Sequence, residues 1–122
     1  MNFDDSQAIY LQVADYIAEK ILSEEWKTEQ RIPSVREIAK SLKVNVNTVM
    51  RSYSLLQEKS IINNQRGIGY FVATSAPSLV AQWKRNEFTR TDLPKVFHQA
   101  KILGYTAEEI NELYKNFLDN PS

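Results

Sequence analysis

One stretch in the middle of the chain carries side chains whose chemistry suits the reading of base edges in DNA. Asn47, Thr48, Arg51 and Ser54 recur at helical spacing, so a helix through this stretch presents them together on one face. In the DNA major groove Arg can donate two hydrogen bonds to guanine, Asn can pair with adenine, and the Thr methyl group can contact thymine. A polar helix face is usually only solvated, so the interpretation depends on the surrounding elements.

The opposite face of the same stretch is predicted to be buried. Apolar residues and one small residue recur there at helical spacing, namely Val49, Ser52, Tyr53 and Leu56. Residues 43–45 are sufficient only for a tight turn, and Asn45 or Asn47 is expected to cap the helix that follows. The stretch is therefore predicted to be the second helix of a helix-turn-helix.

The first helix of that pair has its own start signal. Ser34 and Glu37 stand in the S-x-x-E relation of a capping box, in which each side chain bonds a free backbone N–H group. The inward stripe of this helix is Val35, Ile38, Ala39 and Leu42. Arg36 lies outside the stripe, where it can meet a DNA phosphate or pair with a neighbouring charged side chain, and the spacing favours neither alternative.

A small hairpin is predicted directly after the second helix. Ile61 and Ile62 favour one strand and residues 70–72 another, and the polar residues 63–69 between them include two glycines. Two strands and a tip in this place are typical of a wing. Arg66 at the tip could enter the minor groove, whose negative potential favours Arg, or could simply be solvated.

The remaining segments are predicted to be helical. Residues 6–23 carry one apolar stripe, Ile9, Val13, Tyr16, Ile17 and Ile21, with Asp5 or Ser6 as the cap. Trp26 is expected to anchor the following connector on this helix. After a turn at residues 74–77 come three short amphipathic helices, of which the second ends at Gly104 and the third opens with the capping box of Thr106 and Glu109.

These last helices are too short to build a core of their own, so a second copy of the chain is expected to cover them. The residues assigned to that dimerisation surface are Leu79, Val80, Trp83, Phe97, Leu113 and Phe117. The predicted fold is thus mostly α with a small β-hairpin. A winged helix-turn-helix over residues 1–75 is followed by a short C-terminal helical dimerisation region over residues 76–122.

Charge is unevenly distributed along a chain whose formal net charge is zero. Residues 27–73 hold eight Lys or Arg against three Glu, whereas residues 1–26 hold one Lys against six Asp or Glu. The positive charge therefore coincides with the predicted helix-turn-helix and hairpin, as expected for a partner with a phosphate backbone.

Other functional classes find little support in the sequence. The single His, His98, has no partner at catalytic or metal-ligand spacing, so no enzyme activity, cofactor or metal is expected. The two glycines at 67 and 69 lie in the hairpin and not between a strand and a helix, which argues against a phosphate-binding loop. No stretch predicts a secretion signal or a membrane span, so a cytoplasmic location without membrane contact is expected.

Three ordered motifs resemble the GntR family of bacterial transcription regulators. They are Arg31-Ile-Pro-Ser-Val-Arg-Glu-Ile-Ala, Val44-Asn-Val-Asn-Thr-Val-Met-Arg-Ser-Tyr-Ser-Leu-Leu and Arg66-Gly-Ile-Gly-Tyr-Phe-Val. The Asn-x-Asn-Thr-Val-x-Arg-x-Tyr pattern and the short helical tail look most like the YtrA-like subfamily. The resemblance implies a brief helical dimerisation region in place of a large effector-binding domain.

The resemblance also implies which residues touch DNA. Together with the residues chosen for their chemistry and position, the candidate DNA-binding set is Arg31, Ser34, Arg36, Asn45, Asn47, Thr48, Arg51, Arg66 and Gly67. Val46 and Met50 stand where many GntR members have Arg, so base readout is expected to depend more heavily on Asn47, Thr48 and Arg51. Ser60 replaces the Gly that usually follows the second helix.

Two hypotheses of different classes follow. The leading one is a homodimeric, sequence-specific regulator that binds an inverted repeat in double-stranded DNA. This regulator is expected to be a repressor. The alternative is a winged-helix module that binds protein through Val46, Met50 and the wing. A small-molecule effector could bind near Trp83, Phe88 or Phe97, although no dedicated pocket is evident in the sequence.

Overall fold

The computed structural model describes residues 7–121 and confirms a mostly helical chain with one two-stranded antiparallel hairpin. The elements are α1 (Ile9–Leu22), α2 (Val35–Leu42), α3 (Val46–Glu58), β1 (Ile62–Gln65), β2 (Gly69–Val72), α4 (Ala76–Glu87), a π-helical turn (Phe88–Asp92), α5 (Leu93–Ile102) and α6 (Ala107–Asp119). By its contacts the chain divides into two compact units, Met1–Trp83 and Lys84–Ser122.

The core of the first unit is built from α1, α2, α3, the hairpin and the start of α4. The predicted inward stripe of α3 is confirmed, because Val49, Ser52, Tyr53 and Leu56 are all buried. In α1 the residues Val13, Ile17 and Ile21 are buried as predicted, whereas Ile9 is 46% exposed and Tyr16 half-buried. The stripe of α1 therefore begins one turn later than the sequence suggested. Trp26 is half-buried against this core, as expected.

The capping predictions can be compared with individual hydrogen bonds. At α2 the capping box is present, since the N–H of Glu37 donates to Ser34 Oγ and the N–H of Ser34 donates to Glu37 Oε1, both at 3.1 Å. At α3 the cap is Asn45, whose Oδ1 accepts from the N–H of Asn47 at 2.7 Å. Asp5 and Ser6, the expected caps of α1, lie outside the described residues, and Ala8 before this helix makes no side-chain capping bond.

The hairpin is longer in its strands and shorter in its tip than the sequence predicted. β1 pairs with β2 from Ile62 opposite Val72 to Gln65 opposite Gly69, so only residues 66–68 form the tip. The assignment of residues 63–65 and Gly69 to the segment between the strands was wrong, because these residues pair in the strand ladder. Residues 29–32 add a short third segment, in which the N–H of Ile32 donates to the carbonyl of Tyr70 at 2.9 Å.

The start of α4 belongs to the core of the first unit. Ala76 and Val80 have no exposed surface, and Leu79 and Trp83 pack against the same core. The contacts accordingly place the division between the units after Trp83, eight residues beyond the predicted boundary at 75. The assignment of Val80 to a dimerisation surface was wrong, because its side chain is already fully buried within the first unit.

The second unit has no buried residue in its π-helical turn, α5 or α6. The expected local signals are present: Gly104 follows α5 with a φ of +84°, and Thr106 and Glu109 form the capping box of α6 with bonds of 2.9 and 3.1 Å. None of the described helices is long and apolar enough to cross a membrane.

Candidate nucleic-acid interface

The outward face of α3 presents the residues that were chosen for base reading. Asn47 and Arg51 are exposed, and Thr48 is half-buried. Asn45 lies one residue before the helix, where its side-chain Oδ1 accepts the capping bond. Its side-chain NH2 group can still donate to DNA. The cap also orders the first turn of α3, which is the turn that a recognition helix inserts toward base edges.

Arg51 is restrained by an aromatic ring from another helix. Its guanidinium carbon lies 3.8 Å from the centroid of the Tyr10 ring, which belongs to the first turn of α1. A cation over a ring face is attracted by the ring quadrupole, so the contact orders a side chain that would otherwise move freely. The sequence patterns did not reveal this contact, because they describe each helix separately.

Two buried hydroxyl groups fix α3 against its neighbours. Ser52 Oγ donates to the carbonyl of Tyr10 at 2.7 Å, which ties α3 to the start of α1. The hydroxyl of Tyr53 donates to the carbonyl of Pro33, immediately before the cap of α2, and its ring meets Tyr70 of the hairpin edge to face at 4.9 Å. Burial raises the pKa of Tyr53 above its usual range, so this hydroxyl remains protonated and continues to donate.

The start of α2 forms a second polar edge of the same unit. Ser34 and Glu37 are engaged with each other in the capping box, and the N–H group of Ser34 lowers the pKa of the Glu37 carboxyl below its usual value. Arg36 is exposed, and within residues 7–121 it forms no ion pair with Glu37 or any other carboxylate. Its guanidinium is therefore accessible to a phosphate.

The wing brings together three further residues of the candidate set. Arg66 is exposed at the tip, and Gly67 beside it adopts a φ of +79° with no atom near its missing side chain. The backbone of Arg31 bridges to Phe71 of β2, and a Cβ atom on Gly69, which adjoins the tip, would stand only 2.8 Å from Arg31 Nε. The close approach of Arg31 to Gly69 was not predicted, because it depends on the pairing of residues 29–32 with β2.

The side chains considered for a catalytic, metal or effector site are His98 and the aromatic residues Trp83, Phe88 and Phe97. Among residues 7–121 no three His, Asp or Glu side chains are grouped so as to hold a metal ion. His98 is exposed on α5. Of the residues suggested for an effector, Trp83 belongs to the first unit, where Lys59 Nζ lies 5.1 Å from its ring, and Phe88 and Phe97 belong to the second.

Comparison with known proteins identifies this arrangement. Residues 9–72 match the family described as bacterial regulatory proteins, gntR family. The chain belongs to the GntR family. The matched residues include every candidate DNA-binding residue and end with the last residue of the wing.

Relatives of similar length extend the match beyond the winged helix. This GntR protein is 38% identical over 117 residues to the uncharacterised HTH-type transcriptional regulator YhcF of Bacillus subtilis, covering 96% of this chain and 95% of the relative. It is 29% identical over 110 residues to the HTH-type transcriptional repressor YtrA of the same organism, covering 90% and 84%. The YtrA-like resemblance in the sequence is thereby confirmed.

A solved structure supports the same conclusion for the fold. The GntR-family regulator from Bacteroides thetaiotaomicron superposes with a TM-score of 0.81 at 43% identity, covering 94% of this chain and all of that one. The chain is a DNA-binding transcriptional regulator of the GntR family, and the residues that match the family, 9–72, lie within the first unit described above.

Proposed function

We propose that this regulator acts as a homodimeric repressor that binds an inverted-repeat operator. The observation that carries the proposal is that the chain joins a winged-helix unit with a buried core to a second unit that has an apolar surface and, among its described residues 84–121, no buried side chain. Two-fold symmetry in a dimer predicts two half-sites related by the same symmetry, about one helical turn of DNA apart.

The proposed contact with DNA is supported by the outward face of α3, which is polar and whose side chains are restrained. Asn47, Thr48 and Arg51 lie on one side of α3, and the cap of Asn45 and the Tyr10 ring restrain the two ends of that set. Arg36 and Arg66 stand on separate elements of the same unit. We assign the α3 residues to base edges, and Arg36, Ser34 and Arg31 to phosphates. Arg66 and Gly67 are assigned to the minor groove.

Support for a dimer comes from the exposed side chains of the second unit. The large hydrophobic residues there that remain about half exposed or more are Phe88, Val96, Phe97, Ile102, Leu103, Tyr105, Leu113, Tyr114, Phe117 and Leu118. A single chain rarely exposes so many apolar side chains within a short segment unless a partner covers them. A second copy fits this surface electrostatically, since residues 84–122 hold six basic and six acidic residues and two copies do not repel.

Repression is the simplest outcome of such binding. A dimer bound to an operator excludes other proteins from that DNA without needing a further surface. The name of the Bacillus subtilis relative YtrA includes a repressor function for that protein. The proposal requires no effector. An effector site near Trp83, Phe88 or Phe97 stays a hypothesis.

The decisive experiment is selection of bound duplexes from a random DNA pool at moderate salt. We expect wild type to enrich an inverted repeat. Arg51→Ala should enrich it weakly, with a loss of about 1–3 kcal/mol on the selected site and relaxed preference at the base pair that Arg51 reads. Arg85→Ala is the matched control, because it removes the same charged side chain from the second unit and should select the same repeat. Equal enrichment by wild type and Arg51→Ala would contradict the assigned reading face.

The protein-binding alternative has one specific observation in its favour. Met50 and Ile68 are 51% and 56% exposed on α3 and the wing, and such apolar residues can contact a protein. Membership in a DNA-binding family argues for DNA as the partner of this surface. Capture of a protein partner through Met50 and Ile68, together with no sequence preference in the duplex selection, would favour the alternative.

A further inference from the structure

Arg51 is oriented by a ring that lies outside the helix carrying it. The guanidinium carbon stands 3.8 Å from the Tyr10 ring centroid, a distance typical of stacking on the ring face. The N–H donors of a guanidinium lie in its own plane. A ring stacked above or below that plane therefore restrains the group while leaving its donors available to an acceptor.

The position of the ring is in turn fixed by α3. Ser52 is fully buried, and its hydroxyl donates to the main-chain carbonyl of Tyr10 at 2.7 Å. Because Ser52 directly follows Arg51, the same turn of α3 that carries the guanidinium also anchors the residue that supplies the ring. This hydrogen bond holds the backbone of Tyr10 beside the turn of α3 that carries Arg51, so the ring and the guanidinium start from fixed positions.

No competing polar contact engages Arg51 in the described part of the chain. Within residues 7–121 its guanidinium forms no hydrogen bond and no ion pair, although its side chain is exposed. Among the interactions of the described residues, the stack on Tyr10 is the one that engages the guanidinium and so restrains its rotamers. A long side chain loses conformational entropy when a partner immobilises it, and this loss is smaller if the side chain is restrained beforehand.

We infer that Tyr10 is a positioning residue for operator recognition, whose ring holds the Arg51 guanidinium ready to donate to DNA. The inference rests on the proposed contact between Arg51 and the operator. By this inference Tyr10 contributes to operator affinity through Arg51, although α1 itself is not assigned to DNA contact. The hydroxyl group of Tyr10 takes no part in this role, since the ring face alone makes the contact.

A double-mutant cycle on the operator duplex tests the inference. Tyr10→Leu, which keeps apolar bulk and removes the ring, should weaken binding of the full chain about three- to tenfold. Tyr10→Phe keeps the ring and should restore wild-type affinity. In the Arg51→Ala background Tyr10→Leu should cause no further loss, because the residue that it positions is gone. Thermal unfolding of each variant reports separately on folding.

Tyr16→Leu is the matched control. It removes a ring from the same helix, where the cation nearby is Lys20 at 5.1 Å and not Arg51, so operator affinity should not change. Equal loss from Tyr10→Leu with and without Arg51 would show a purely structural role and overturn the inference. No loss from Tyr10→Leu in wild type would also overturn it. In both cases selective operator binding by wild type would still support the proposed function. If wild type itself bound no operator selectively, the proposed function would be wrong, whatever the Tyr10 variants did.

Discussion

Met50 is an apolar residue between polar ones on the exposed side of α3. Its side chain is 51% exposed, while Asn47 one turn before it and Arg51 beside it are polar candidates for base reading. The major groove offers one apolar feature, the methyl group of thymine. A thioether side chain is flexible enough to follow such a group. We therefore expect Met50 to favour thymine at one base pair of each half-site.

Replacement of that thymine by deoxyuridine, which removes only the methyl group, tests this expectation. Wild type should lose affinity about fourfold, the value for one buried methyl group, and Met50→Ala should not distinguish the two duplexes. Gln57→Ala, which changes another exposed residue of α3, should keep the wild-type response. The measurement is fluorescence anisotropy on duplexes substituted one thymine at a time. A wild-type affinity that is equal for every duplex would contradict the role of Met50.

At the scale of elements, the two ends of α3 differ in whether the residue present favours the backbone conformation that it adopts. The start is capped by Asn45, a residue that favours this position. The end closes with Ser60 at a φ of +63°, where the N–H groups of Ser60 and Ile61 donate to the carbonyls of Gln57 and Leu56. This hydrogen-bond pattern normally has Gly at the left-handed position, because a Cβ atom is disfavoured there.

Ser60→Gly is accordingly expected to stabilise the protein. We expect a net rise in the free energy of unfolding of roughly 0.5–1 kcal/mol. Relief of the left-handed strain stabilises the folded chain, and the greater freedom of Gly in the unfolded chain offsets only part of that gain. Ser54→Gly, at an exposed interior position of the same helix, should instead lower stability by a similar amount. Thermal and urea denaturation measure both. Destabilisation by Ser60→Gly would show that the Ser side chain compensates for its backbone conformation.

The elements also show what local sequence patterns encode. The caps at Ser34, Asn45 and Thr106 and the inward stripe of α3 were predictable, because cap chemistry and helical periodicity act over a few residues. The stripe of α4 predicted that Val80 is buried but not which core covers it. The stack of Arg51 on Tyr10 and the place of Arg31 join residues from distant parts of the chain. Periodicity within one element carries no information on such contacts.

At the scale of the whole molecule, the proposed DNA-reading face and the exposed apolar surface belong to different units. Tyr53, Val49 and Ile17 give the first unit a buried core, whereas no side chain described in the second unit, residues 84–121, is buried. We therefore expect substitutions on α6 to change association and leave the fold of the first unit intact.

Phe117→Asp tests this expectation, since Phe117 is 56% exposed and the change puts a charge on the proposed dimer surface. Burying an unpaired carboxylate in that interface should raise the dimer dissociation constant at least about tenfold. Asn116→Asp is the control, because it adds the same charge about 100° around the helix, away from the apolar side. Analytical ultracentrifugation measures association, and circular dichroism reports the fold. A dimer of wild-type strength in Phe117→Asp would exclude this face of α6 from the interface.

The contact between Arg31 and Gly69 has a consequence for how this protein can vary. Any side chain at position 69 meets the Arg31 guanidinium and also needs a φ of +147°, which residues other than Gly rarely adopt. A single substitution at 69 would thus alter the wing and also move Arg31, a cation of the proposed DNA-binding surface. In a library that randomises both positions, tolerated replacements at 69 should therefore be few, because the backbone strain at 69 remains whichever residue stands at 31.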